Sequence, residues 1–130
     1  MSFLDDHKKE KLNNFVKFVK EELDIKKMPT VVVQNHRKDI KTTANYDYTK
    51  ENKIIKVCMK NRALVDVMRS IAHELIHHKQ WELGKLKVKP PDIGGEIEDE
   101  ANAKAGQFIK MFALKDKKIY DENINIRKTI

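Results

Sequence analysis

Apolar residues recur along this chain with a helical period at both ends and in two-fold or continuous runs between them. Over residues 3–24, Leu12, Phe15, Val16, Val19 and Leu23 fall at the spacing that makes one buried stripe on a helix. Lys26-Lys27-Met28-Pro29 should end that helix, because proline cannot continue it and disfavours helical geometry in the residue before. Thr30 to Gln34 is a β-branched run suited to a buried strand. Residues 40–48 make a weaker, more alternating strand candidate, and Ile54 to Met59 a third. From Arg62 to Leu83 the helical period returns. Leu64, Val67, Met68, Ile71 and Leu75 form one stripe, and Val65, Ala72 and Ile76 widen it, so this helix should be packed on several sides at the centre of the fold. Gly84 is a natural stop. After a loop containing Pro90-Pro91 and Gly94-Gly95, a last helix over about 96–114 should bury Ile97, Ala101, Ala105, Phe108, Ile109 and Phe112. Its acidic first turn complements the positive end of the helix dipole.

This order predicts an α+β chain: an N-terminal helix, a small three-stranded twisted sheet, a central helix and a C-terminal helix. At 130 residues it should be one domain, with a core over about 28–114 and a polar tail over 115–130. No apolar run approaches the ~18 residues that span a bilayer, so no membrane association is expected. Met1 to Glu10 contains no apolar stretch of the kind a secretory signal needs. Cys58 stands alone, which excludes an internal disulfide and a CxxC metal knuckle, and suggests a cytoplasmic location. It is most simply a small buried hydrophobe. The net charge of +7 admits an acidic partner such as nucleic acid. General solvation is the stronger reading, because the lysines are interleaved with acids and arginines are few. Oligomeric state is not encoded in any pattern here.

The chemistry concentrates in the central helix, where Ile71-Ala72-His73-Glu74-Leu75-Ile76-His77-His78 contains HExxH. Residues i and i+4 lie on one helical face, so His73 and His77 can offer two imidazole nitrogens to one Zn²⁺. Glu74 flanks that face and can take a proton from a metal-activated water without being a ligand. Such a motif arises by chance about 0.01 times in a chain of this composition. His78, rotated by about 100° from His77, should be packed or solvent-facing rather than a ligand. His7 and His36 read as surface residues. A catalytic zinc normally has a third protein ligand. The best source is the start of the last helix: Glu98 borders the apolar stripe, whereas Glu96, Asp99 and Glu100 read as surface acids. Asn102, one turn on, would hydrogen-bond a ligating histidine and fix its tautomer.

His73-Glu74-Leu75-Ile76-His77 followed by Glu98-Asp99-Glu100-Ala101-Asn102 resembles the gluzincin pattern, HExxH and then ExxA(N/D). Within it, the chain is most similar to the ImmA/IrrE-type peptidases and the stand-alone minigluzincins. The resemblance spans about residues 28–114. It implies a minimal zincin fold with zinc held by His73, His77 and Glu98, and Glu74 as the catalytic carboxylate. Asn102 stands where thermolysin-like members often have Asp. The resemblance also implies an edge strand before the last strand, residues 42–46 with Ala44 and Asn45, that takes extended peptide by β-addition. Two features depart from it. Larger gluzincins add a C-terminal subdomain with a Tyr or His that stabilises the oxyanion, and here Tyr120, Arg127, Tyr46 and Tyr48 are the candidates. The helix-turn-helix segments that often accompany ImmA/IrrE proteins are not visible. The expected function is a zinc-dependent endopeptidase of an intracellular protein or peptide substrate. The alternative is a non-catalytic, zinc-stabilised module that binds protein or nucleic acid. A SprT-like protease acting on DNA-bound protein is disfavoured, because no later His and no cysteine-rich ribbon are present.

Overall fold

A computed structural model describes residues 5–38, 40, 43–49, 51–86 and 95–116. The order of elements is α1 (Asp6–Leu23), β1 (Thr30–Gln34), β2 (Ala44–Asp47), β3 (Ile54–Cys58), α2 (Leu64–Glu82) and α3 (Glu96–Lys115). This is the α+β architecture expected, three helices around a small mixed sheet. The sheet order is β1-β3-β2, with β3 parallel to β1 and antiparallel to β2. Among the described residues β2 therefore pairs on one side only.

The ends of the elements follow local chemistry. α1 starts at Asp6 because the Asp5 carboxylate accepts the backbone N–H of Lys8 at 2.8 Å, closing the first turn. It ends at Asp24, whose φ of 52° is left-handed. β2 is shorter than the 40–48 run suggested. Asp47 Oδ1 accepts the Thr49 backbone N–H at 3.1 Å and its hydroxyl at 2.7 Å, and that Asx turn ends the strand. α2 begins two residues later than Arg62, since Ala63 is still extended at φ -70° and ψ 150° and stands as the N-cap. Arg62 instead spends its guanidinium on nearby oxygens. Gly84, at φ +79°, terminates α2 in a conformation that a β-carbon would strain.

α2 is the central element, packed against β2 and β3 on one side and against α1 and α3 on others. Phe15, Val19, Ile55, Val57, Met68, Ile71, Leu75, Ile76 and Ile109 are fully buried, and each contributes about 1.5–3 kcal/mol of hydrophobic stabilisation. Phe15 meets Phe112 edge to face at 5.2 Å, joining α1 to α3. Cys58 is buried, as expected of a small hydrophobe. Ile97 departs from the expected inner face: it is half-buried and lines the cleft described below.

His78 is a structural residue. Only 1% exposed, its Nε2 lies 2.7 Å from the Lys27 carbonyl and must donate there, leaving Nδ1 to accept the Tyr46 hydroxyl at 2.6 Å. One turn on, Glu82 accepts the backbone N–H groups of Lys26 and Lys27 at 3.1 and 3.0 Å. The C-terminal half of α2 is thus tied to the edge strand on one side and to the α1–β1 connection on the other. Among the described residues no helix is long and apolar enough to cross a membrane. The tail beyond residue 116, including Tyr120 and Arg127, lies outside the described residues, as does Thr42 of the expected edge strand.

Candidate metal centre and cleft

α2 presents His73 and His77 one turn apart, their rings 4.6 Å between centroids and nearly perpendicular. The first turn of α3 brings Glu98 to both. Glu98 Oε1 lies 2.6 Å from His73 Nε2, Oε2 lies 3.2 Å from His77 Nε2, and the two Nε2 atoms are 3.1 Å apart. One donor atom from each residue falls within 4.8 Å of the others, a group that could hold a metal ion. Asn102 touches His73 as a hydrogen-bonding neighbour. His7 and His36 are exposed and take no part, and His78 faces the other way, as its rotation on the helix required.

The tautomer of His77 is set from outside the cluster. The Gln80 amide donates to the Ile97 carbonyl at 3.0 Å and to Glu100 Oε1 at 2.8 Å, so its oxygen must face His77. His77 Nδ1, 2.7 Å from that oxygen, therefore carries a proton and donates it, and Nε2 is the ring nitrogen turned toward the cluster. Nε2 points at Glu98 Oε2, a buried oxygen with no hydrogen-bond donor among the described residues. Burial and the neighbouring His77 ring hold His73 below the ordinary histidine pKa despite the opposing pull of Glu98, which favours its neutral imidazole form. Two imidazoles and one carboxylate that converge in this way are a donor set that fits a divalent cation of the zinc type.

Gln80 and Glu100 were missed by sequence reasoning. Glu100 is not merely a surface acid; it anchors the amide that orients His77, and this contact with the charges of Lys104 and Lys85 holds its pKa below the usual range. The signal was present for Gln80, which sits three residues after His77 on the same helical face.

Glu74 is 8% exposed, and burial, reinforced by the Glu98 carboxylate, pushes its pKa up to about 8. It opens onto a cleft of about 500 Å³ with His73, His77, Glu98 and Asn102 on one wall. The opposite wall is Thr43, Ala44, Asn45, Tyr46 and Tyr48, so Ala44 and Asn45 of the unpaired strand edge face the candidate metal ligands across the cleft. Tyr46 spends its hydroxyl on His78, whereas the buried Tyr48 hydroxyl has no hydrogen-bond partner among the described residues.

No family model matches the chain, and neither the curated proteins nor the solved structures compared with it give a match.

Proposed function

We propose that this chain is a zinc-dependent peptidase that binds an extended peptide along β2 and hydrolyses it beside Glu74. The observation that carries the reading is the meeting of three side chains able to ligate a metal, His73, His77 and Glu98, with a buried carboxylate beside a strand edge unpaired among the described residues. Zinc, when bound, supplies Lewis-acid polarisation of a carbonyl and lowers the pKa of water. The protein supplies the rest. β2 offers the backbone groups on its open side to a peptide, as an added strand would use them. Glu74 accepts a proton from the water that attacks the carbonyl carbon, then returns it to the amine as the C–N bond breaks. Tyr48, kept protonated by burial, is the donor in the cleft wall with no other engagement, and is assigned to the carbonyl oxygen.

A zinc-stabilised binding module would have no use for a general base, and a carboxylate buried beside the donor cluster is costly to keep for stability alone. The test is cleavage of a peptide library by zinc-loaded protein beside Glu74→Gln. Zinc-dependent cleavage that the variant lacks, with its zinc retained, supports the proposal. Stoichiometric zinc with no cleavage by either protein, in the presence of peptides that bind, returns the chain to the binding-module reading.

A further inference from the structure

The end of the cleft nearest the start of α2 is basic. Thr43 accepts the Cys58 backbone N–H at 2.9 Å, and the Cys58 carbonyl accepts Arg62 Nη1 at 2.9 Å, which places the start of β2 beside Arg62. Arg62 is half-buried, and Nη2 is held by the Asp66 carbonyl at 2.9 Å and by Ser70 Oγ at 2.7 Å. All three acceptors are neutral. The guanidinium is rigidly placed, partly desolvated, and without a carboxylate in ion-pair contact among the described residues.

Arg62 also forms the wall between the cleft and a second cavity of about 430 Å³, lined by His36, Arg37, Cys58, Lys60, Asn61 and Arg62. No acid appears in that lining. Arg37 and Lys60 are exposed and make no ion pair among the described residues. Arg69 adds a further cation on the cleft side, where Asp66 lies 3.7 Å away in a half-exposed pair. A desolvated, fixed guanidinium flanked by unpaired cations costs free energy that a carboxylate would recover, most fully through a bidentate pair.

We infer that Arg62, with Arg37, Lys60 and Arg69, forms a carboxylate-recognition site that selects acidic residues in the peptide bound along β2. The inference rests on the peptide-binding reading above and adds the chemistry of the ligand. From Thr43, just before β2 and beside Arg62, the strand runs toward Tyr46 beside His78. A peptide added antiparallel, the slightly more stable pairing, leaves the cleft toward Arg62, so the acids lie C-terminal to the scissile bond. A nucleic acid is the weaker fit. The basic cavity is small and adjoins an open strand edge, and His36 is the one ring in its lining.

The test uses full-length, zinc-loaded Glu74→Gln, which suppresses turnover, with fluorescence anisotropy of labelled peptides. The peptides differ only in Glu or Gln downstream of the central bond, each with a free or amidated C-terminus. About tenfold tighter binding of the Glu peptide is expected at low salt, shrinking as ionic strength rises. The double variant Arg37→Gln/Lys60→Gln, both exposed, should cut that preference to about threefold without altering the far-UV circular dichroism. Arg62→Gln should remove it, and because Arg62 also braces the start of α2 the double variant decides the outcome. If only the free C-terminus matters, the carboxylate chemistry stands and its source is a chain end. Equal binding of Glu and Gln peptides, no peptide binding, or a preference untouched by the double variant would each overturn the inference. Tighter binding of a single-stranded oligonucleotide that displaces the peptide would reassign the cluster to nucleic acid. Acidic preference without wild-type cleavage removes the peptidase reading and leaves this site; cleavage indifferent to charge does the reverse.

Discussion

Replacing residues around the donor cluster should produce a graded loss of zinc affinity in the order Glu98, Gln80, Glu100. Glu98→Ala removes one of the three proposed protein ligands and the carboxylate among them. Structural zinc sites bind with about 10–16 kcal/mol shared among four ligands, so one ligand is worth roughly 3–4 kcal/mol, or a few hundredfold in affinity. Gln80→Leu keeps the volume but leaves the His77 Nδ1–H without its acceptor at 2.7 Å, freeing the ring to adopt the wrong tautomer. Loss of such an outer partner costs about 10–100-fold. Glu100→Ala acts at one further remove, by releasing one donor of the Gln80 amide while the Ile97 carbonyl still holds the other, so a loss of only about threefold is expected. The affinities would be measured by competition with a chromophoric chelator, with circular dichroism to confirm folding. A second readout is thermal: zinc at 100 times its Kd stabilises wild type by about 2.7 kcal/mol, roughly 10 °C in Tm for a domain of this size. Glu98→Ala should lose that shift at the same zinc concentration. Wild-type zinc affinity in Glu98→Ala would refute the third ligand, and wild-type affinity in Gln80→Leu would refute the tautomer argument.

Other outcomes follow from the same geometry. Tyr46→Phe strands the buried Nδ1 acceptor of His78 and should cost about 1–3 kcal/mol in urea unfolding, whether or not zinc is present. Tyr48→Phe should leave stability within about 0.5 kcal/mol, since its hydroxyl has no partner to lose, while lowering kcat by about 10²-fold if it stabilises the carbonyl oxygen. Glu74 supplies a pH test on chelator-treated protein. Its folded pKa of about 8 lies above the ordinary 4.5, so the folded state holds the extra proton between those values and stability falls as pH rises through that window. At about 1.4 kcal/mol per pK unit the effect is bounded near 5 kcal/mol. Glu74→Gln should therefore stabilise the metal-free protein at pH 9 and leave it nearly unchanged at pH 4.

The periodic apolar residues were sufficient to identify every element. Burial drives the helices locally: the stripe of Leu12, Phe15, Val19 and Leu23 buries as a helix and as nothing else, and the same holds for Leu64 to Ile76, whereas β1 is read from its β-branched residues and has none fully buried. HExxH was equally legible, because i and i+4 share a face by helix geometry alone. Glu98 could be favoured over Glu100 from its position at the border of the apolar stripe. Sheet order was not legible, since residues 30–34 and 54–58 pair in parallel across nineteen intervening residues that local sequence does not constrain. Nor were the roles of Gln80 and Glu100, which depend on how α3 lies against α2. Arg62 looked like one of a few scattered arginines; only the chain reversal at Asn61 and the approach of β2 set it between two cavities. Periodicity and spacing are properties of one segment at a time and so are written in the sequence. Which polar group meets which across two segments depends on their packing, and that is decided only when the whole core closes.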